Sequence, residues 1–289
     1  MAITDLSDLG TVGLWTHDTE RYHPNEARPL ARRFEAAGFQ CVWIPEGLGP
    51  EALTHASLLL HATTRLAVAT GIASIWARDP FATHAGTRLS RSGRGDRFVR
   101  GLGVSHRLVV DALRGHDYQS PRKAMDGYLT QLEGLDESNG DSGPRVIAAL
   151  GPKMLDMAAD HGTGVLTYLT TVEHTVDARR LSGGHLSVEI PASIGDRDQT
   201  RASARRHLST YLGLENYQAS FRRLGFTEDD LADNGSDRLV DTIVAQGTVD
   251  DVRAKVRERL EAGADHVGIQ PLDGDTLTEL WEAGAAAFT

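Results

Sequence analysis

RGLGVSH, residues 100–106, follows a short apolar run and sets two glycines two apart, Gly101 and Gly103. That is half of the G-x-G-x-x-G fingerprint of dinucleotide-binding sheets, with His106 standing where the third glycine belongs. The stretch reads as a nicotinamide site, as a plain turn, or as the edge of a different active site. The choice bears on the fold, because the fingerprint belongs to an open doubly wound sheet. Context argues against the nicotinamide reading. The third glycine is missing, no helix opens directly after the turn, and the next strong helical pattern waits until about residue 121. The first strand-like run, where such a fingerprint normally sits, has no trace of it.

Outward from this stretch, short apolar runs alternate with helical patterns along the chain. Eight runs read as strands: TVGLWT (11–16), CVWIPE (41–46), LAVATGIA (66–73), FVRGLGVS (98–105), RVIAAL (145–150), GVLTYL (164–169), HLSVEIPASI (185–194) and HVGIQPL (266–272). Between them lie helix-like stretches. Asn25 is placed to cap the first, with Leu30, Phe34 and Ala37 on one face and Gly38 as its stop. Thr248 opens the last crossover helix with a capping-box pattern, followed by Val249, Val252, Val256 and Leu260. Strands separated by helices predict a parallel sheet, either open and doubly wound or closed as a (β/α)8 barrel. Eight strands, roughly evenly spaced through most of the 289 residues, favour the TIM barrel, as a single domain over 1–289. The roughly seventy residues between strands seven and eight exceed an ordinary connection, and the stretch at about 211–247 reads as a helical insertion.

Bulk composition excludes several function classes. A formal net charge of −10 argues against a nucleic-acid partner. No apolar run of about 18 residues predicts a membrane span. MAITDLSDLG lacks the pattern of a signal peptide, so a cytoplasmic location is expected. The lone cysteine, Cys41, lies within CVWI and reads as a buried structural thiol. Arg201, Arg205 and Arg206 read as a solvated helix face, and His55, His61, His161 and His207 as surface residues. No H-x-x-x-H or Cys/His cluster points to a metal.

In a barrel the active site lies at the C-terminal ends of the strands, which turns the strand list into a shortlist. ALGPKM (149–154) ends a strand at a helix start, where Gly151 permits close approach and Pro152 suits the first helical position. With Lys153 beside the helix N-terminus, the turn is a candidate phosphate site, against the plainer reading of a capped helix with an exposed lysine. Glu46 ends strand two and would either point into the pocket mouth or favour the next helix electrostatically. GIASIW (71–76) offers small residues ahead of Ile75 and Trp76, suited to a flat wall or to barrel packing. His106 is placed to shuttle a proton near neutral pH. Trp15, His17, Trp76 and Tyr168 would give a partly aromatic substrate pocket.

Taken together, GFQCVWIPE, ATGIASIWARDP, RFVRGLGVSH, ALGPKMLDMAADHGTGVLTYL and the tail through HVGIQPL resemble the luciferase-like monooxygenase superfamily, in particular its coenzyme F420-dependent branch. The resemblance runs from about residue 11 to 272. It implies hydride transfer between C5 of the deazaflavin F420 and a small organic substrate. An FMN-dependent monooxygenase and a non-catalytic flavin-binding protein are the alternatives. It also implies that Gly151, Lys153 and Met154 contact the cofactor phosphate, and that Gly103, Val104 and Ser105 line the cofactor. A non-prolyl cis peptide is implied behind the ring at Ser74–Ile75, His106 as acid or base, and Glu46 as a residue orienting the cofactor. Several relatives carry a histidine directly after the strand-two acid, where this chain has Gly47. The resemblance allows a homodimer.

Overall fold

The structure, a computed structural model, describes residues 2–21, 23–92, 96–118 and 120–289. Eight parallel strands close a barrel: β1 (Val12–Trp15), β2 (Cys41–Ile44), β3 (Ala67–Thr70), β4 (Phe98–Gly103), β5 (Arg145–Ala148), β6 (Gly164–Tyr168), β7 (Leu186–Ile194) and β8 (His266–Pro271). Each pairs with the next in sequence, and β8 closes the ring against β1 through Val12↔Val267 and Leu14↔Ile269. The closed TIM barrel is therefore the architecture, and the open-sheet alternative falls. Each strand is followed by a helix: α1 (Pro24–Ala36), α2 (Ala52–Ala62), α3 (Pro80–Ser92), α4 (Pro121–Asn139), α5 (Pro152–Asp160), α6 (Val172–Ser182), α7 (Val249–Glu261) and α8 (Gly274–Ala283).

Strand residues are buried on both faces, with a distinct core on each. Val12, Leu14, Val42, Ile44, Val188 and Ile190 pack outward into the layer beneath the helices. Trp15, Cys41, Trp43, Ala69, Val99, Val146 and Leu166 form the inner core, which Ile3, Leu6 and Leu9 join. Inside the barrel, the Trp43 indole N–H donates to His266 Nε2 at 3.0 Å, while His266 Nδ1 donates to the Gly10 carbonyl at 2.7 Å. Both ring nitrogens are satisfied by a neutral imidazole, and burial holds His266 down at about 4.

Four local readings change. α1 is capped by His23, whose Nδ1 accepts from Asn25 N; Asn25 itself is inside the helix, because Pro24 takes the first helical position. The third strand breaks after Thr70 and resumes as Ala73–Ser74, and the cis peptide lies in that break, at Gly71–Ile72 rather than Ser74–Ile75. Gly101 faces its own neighbour, not a ligand. A Cβ there would sit 1.8 Å from the Thr70 carbonyl oxygen, so glycine permits β3 and β4 to approach. The insertion after β7 begins with a helix at Arg197–Leu212, one helix earlier than the 211–247 stretch, and continues through Glu215–Arg223, Glu228–Leu231 and Asp237–Ile243. RDQTRASARRHLSTYL hides its apolar stripe because just Ala204, Leu208 and Leu212 are its buried apolar members of the insertion core, with the half-buried Tyr211 packed beside them. Arg201 pairs with Asp237 and Asp241, both at 2.5 Å, and Arg205 pairs with Asp237, so these arginines staple one insertion helix to another.

Candidate active site

The C-terminal strand ends and the insertion enclose a cavity of about 490 Å³. Its inner wall is aromatic and tied to the backbone. The Trp15 indole N–H donates to the Gly71 carbonyl at 2.7 Å, and a Cβ on Gly71 would come within 2.6 Å of that nitrogen. Trp15 stacks on Tyr168 with ring centres 6.3 Å apart and planes 12° from parallel, and His17 meets Trp15 edge-on at 4.7 Å. Gly71, Ile72, Gly103 and Val104 continue the wall across β3 and β4. Trp15 packs over Gly71 and Ile72 over Gly103, so the wall is closely packed and apolar, suited to a flat ring.

The shortlisted residues separate into two groups. Trp15, His17, Glu46, Gly103, Val104, Ser105, His106, Gly151, Met154 and Tyr168 line the cavity. Ser74, Ile75, Trp76 and Lys153 do not. Ile75 and Trp76 line a neighbouring depression, and the Trp76 N–H is spent on the Val104 carbonyl at 2.9 Å. The break in β3 is the reason: it ends the cavity wall at Ile72 and turns the following residues away. Lys153 is exposed at the second position of α5, whereas Arg223, from the insertion, lines the cavity and lies beside Gly151. No side chain caps α5, so its N-terminus and Arg223 together make the mouth favourable to an anion.

Glu46 is held by protein partners. Its Oε2 accepts from Ser74 N at 2.8 Å, its Oε1 accepts from Ala52 N at 3.3 Å, and it forms an ion pair with Arg78. The carboxylate thus fixes the start of α2 and the resumed third strand, a positioning task. His106 differs. β4 runs out into Ser105, whose φ of 55° is unusual for a residue with a side chain. His106 follows, with a buried Nδ1 that has no hydrogen-bond partner among the described residues. Burial lowers its proton affinity below the ordinary imidazole value, opposed by a hydrogen bond to Asn216. A neutral imidazole in a cavity wall is able to accept a proton.

Three groups escaped the sequence reading. His207, assigned to the surface, hydrogen-bonds the Tyr168 hydroxyl, which also donates to Gln270 Oε1 at 2.7 Å; burial and the nearby His17 hold His207 at about 4. His55 is not a surface group either, being buried in α2, while His161 is half-buried and bridges Asp126 and Glu133 at 3.0 and 2.9 Å. The insertion contributes Tyr211, Asn216 and Tyr217 to the cavity along with Arg223. Glu189 lines the cavity from the middle of β7, and the signal was available as one acid in the otherwise apolar run SVEIP. Among the described residues no group of three or more His, Cys, Asp or Glu is placed to hold a metal, and no helix is long and apolar enough to cross a membrane.

Comparison with known proteins bears on this geometry. The family described as luciferase-like monooxygenase matches residues 6–266. The 5,10-methylenetetrahydromethanopterin reductase of Archaeoglobus fulgidus is 22% identical over 81% of this chain and 85% of its own. An F420-dependent secondary alcohol dehydrogenase, solved with an F420–acetone adduct, superposes with a TM-score of 0.76 over 97% of this chain and 99% of its own, at 15% identity. The oxygenating constituent of 3,6-diketocamphane monooxygenase from Pseudomonas putida, solved with FMN, gives a TM-score of 0.68 over 96% of this chain and 97% of its own, at 13% identity.

Proposed function

The chain belongs to the luciferase-like monooxygenase family, whose members compared above are oxidoreductases, and from that premise we propose that it is an F420-dependent enzyme moving a hydride between deazaflavin C5 and a small organic substrate. The observation that carries the proposal is the continuity of one cavity. It joins the apolar wall of Gly71, Ile72, Gly103 and Val104 to the anion-favouring mouth at Gly151 and Arg223. A planar ring with an anionic tail matches both ends, and Met154 lies between the mouth and the outer core.

When bound, the deazaflavin supplies the hydride chemistry. The chain's own residues do the rest. Trp15 and Tyr168 give a dry, rigid surface that orients flat ligands and excludes water. Glu46 and Arg78 hold the third-strand break that forms the wall. His106, a cavity-lining imidazole kept neutral by burial, takes or returns the proton that accompanies the hydride.

Fluorescence titration of the purified protein with F420 and with FMN, followed by oxidation of reduced F420 in the presence of small carbonyl compounds, tests this. F420 is expected to bind at least about tenfold more tightly than FMN, a difference of about 1.4 kcal/mol. Binding of FMN alone, with oxygen consumed by the reduced complex, would overturn the proposal in favour of a flavin monooxygenase.

A further inference from the structure

Glu189 stands in mid-β7 with its side chain inside the barrel. Val188 and Ile190 on either side of it belong to the outer core. It is 3% exposed and lines the cavity, and its Oε1 is buried with no hydrogen-bond partner among the described residues. Its register partners are Tyr168 on β6 and Gly268 on β8, the latter with no side chain to offer.

The titratable groups that face it are phenols: Tyr168 from β6, and Tyr211 and Tyr217 from the insertion. Behind Tyr168 lies His207, kept neutral by burial and by His17. None of these is a cation at neutral pH. Burial is the cause that pushes the Glu189 carboxyl well above the usual carboxylate range. A protonated carboxyl carries one O–H donor, and because Glu189 forms no hydrogen bond with the neighbouring phenols, a donor on the oxygen left open to the cavity is satisfied by a ligand or by water.

We infer that Glu189 meets the bound molecule as a neutral carboxylic acid and donates its O–H to a carbonyl oxygen of that molecule. The inference deepens the proposed hydride transfer and rests on it for the identity of the ligands. A neutral carbonyl fits the Glu189 end of the cavity because the phenols and the carboxyl there offer donors but no cation, whereas Arg223 stands at the Gly151 mouth. An anionic group would lack a counter-charge there. The carbonyl belongs either to the cofactor ring or to the organic substrate, and polarising it by a buried donor favours charge developing on its oxygen.

Infrared difference spectroscopy of the full-length protein tests the inference, with Glu189→Gln as the reference that keeps shape and a donor but cannot ionise. The ligand-free wild type at pH 7 is expected to show a protonated-carboxyl band that is missing from Glu189→Gln. Adding F420, then cyclohexanone as a neutral carbonyl probe, is expected to shift that band. A shift with F420 alone assigns the carbonyl to the ring; a shift only after cyclohexanone assigns it to the substrate. Affinity for the probe that shifts the band should fall about tenfold per pH unit once Glu189 ionises in the alkaline range, and stay level in Glu189→Gln. An ionised carboxyl at pH 7 overturns the inference, as does a band that neither probe moves or one that ionises on adding a cationic amine but ignores cyclohexanone. Fluorescence titration in the same samples separates the two claims. Bound F420 with an unmoved band removes the role of Glu189 and leaves the hydride-transfer proposal standing. No F420 binding removes that proposal, and cyclohexanone alone still reads the carboxyl.

Discussion

Replacing Gly101 by alanine forces β3 and β4 apart. The added Cβ would lie 1.8 Å from the Thr70 carbonyl oxygen and 3.0 Å from the Thr70 carbonyl carbon. Both are backbone atoms, so no side-chain rotation relieves the contact. Separation of the strands also breaks a reciprocal pair: Gly101 N donates to Thr70 Oγ1 at 2.8 Å, and Thr70 Oγ1 donates to the Gly101 carbonyl at 2.7 Å. Overpacking a close-fitted interior costs about 1–3 kcal/mol and each hydrogen bond about 1 kcal/mol, which together give about 4 kcal/mol. At an unfolding entropy of about 2.1 cal/mol/K per residue, that lowers the Tm of this 289-residue chain by about 7 °C. Circular-dichroism melts of wild type and variant measure it. Gly127→Ala is the opposite-sign control. Gly127 is exposed in α4 with open space around it, and alanine there should gain up to about 1 kcal/mol. A Gly101→Ala Tm within about 1 °C of wild type would refute the claim that this glycine exists for strand approach.

The remaining predictions concern charge and protons. His207 and His266 are held at about 4 when folded, against an ordinary 6.5, so the unfolded chain binds the extra protons between those values. Their contribution to stability is complete above pH 6.5 and is lost as pH falls toward 4, about 3 kcal/mol for each; urea midpoints at pH 7.5 and 4.5 should drop together with acidification, and an NMR titration showing His266 charged at pH 6 would contradict the burial argument. Arg223→Ala should weaken F420 binding about tenfold or more, in keeping with loss of a charge-assisted contact, while Lys153→Ala changes it little; equal effects would remove the distinction drawn between a lining arginine and an exposed lysine. His106→Ala should bind F420 normally yet turn over about a hundredfold or more slowly, and undiminished turnover would end its role as proton carrier.

The barrel was legible because its signal repeats. Each strand is a short apolar run followed by a helix-like stretch, and a run such as CVWI reads the same whether it faces the helices or the barrel interior. Failures came where geometry depends on a neighbour distant in sequence. Gly101 stands in half of a dinucleotide-binding fingerprint, but the atom it accommodates belongs to Thr70, thirty-one residues earlier. The cis peptide was displaced because nothing local in GIASIW marks where the strand will break. Lys153 was favoured over Arg223 because only the lysine is adjacent to Gly151 in sequence; the arginine reaches the same turn from the insertion. His207 looked exposed because its helix carries so many arginines, while its own face turns to Tyr168.

These failures share a cause that also locates the specificity of the enzyme. The inner barrel below the cavity is filled by Trp43, His266 and apolar side chains whose hydrogen bonds are satisfied within the protein. It can hold the strands in place but has nothing left to offer a substrate. The polar groups that line the cavity lie one layer higher: His106 at the end of β4 and Glu189 on β7, each with a polar atom left unpartnered among the described residues, and the phenols and Arg223 that the insertion brings over them. The insertion has its own core of Leu208, Tyr217, Phe221, Phe226, Leu239 and Val240, closed by Arg201 and Arg205 ion pairs. That core presents Tyr211, Asn216 and Tyr217 to the cavity on a packed support, which fixes polar atoms more closely than a bare loop would. Exchanging residues within 211–223 should therefore alter which organic molecule is accepted while leaving the eight-stranded frame intact, because the contacts that close the barrel lie in other strands.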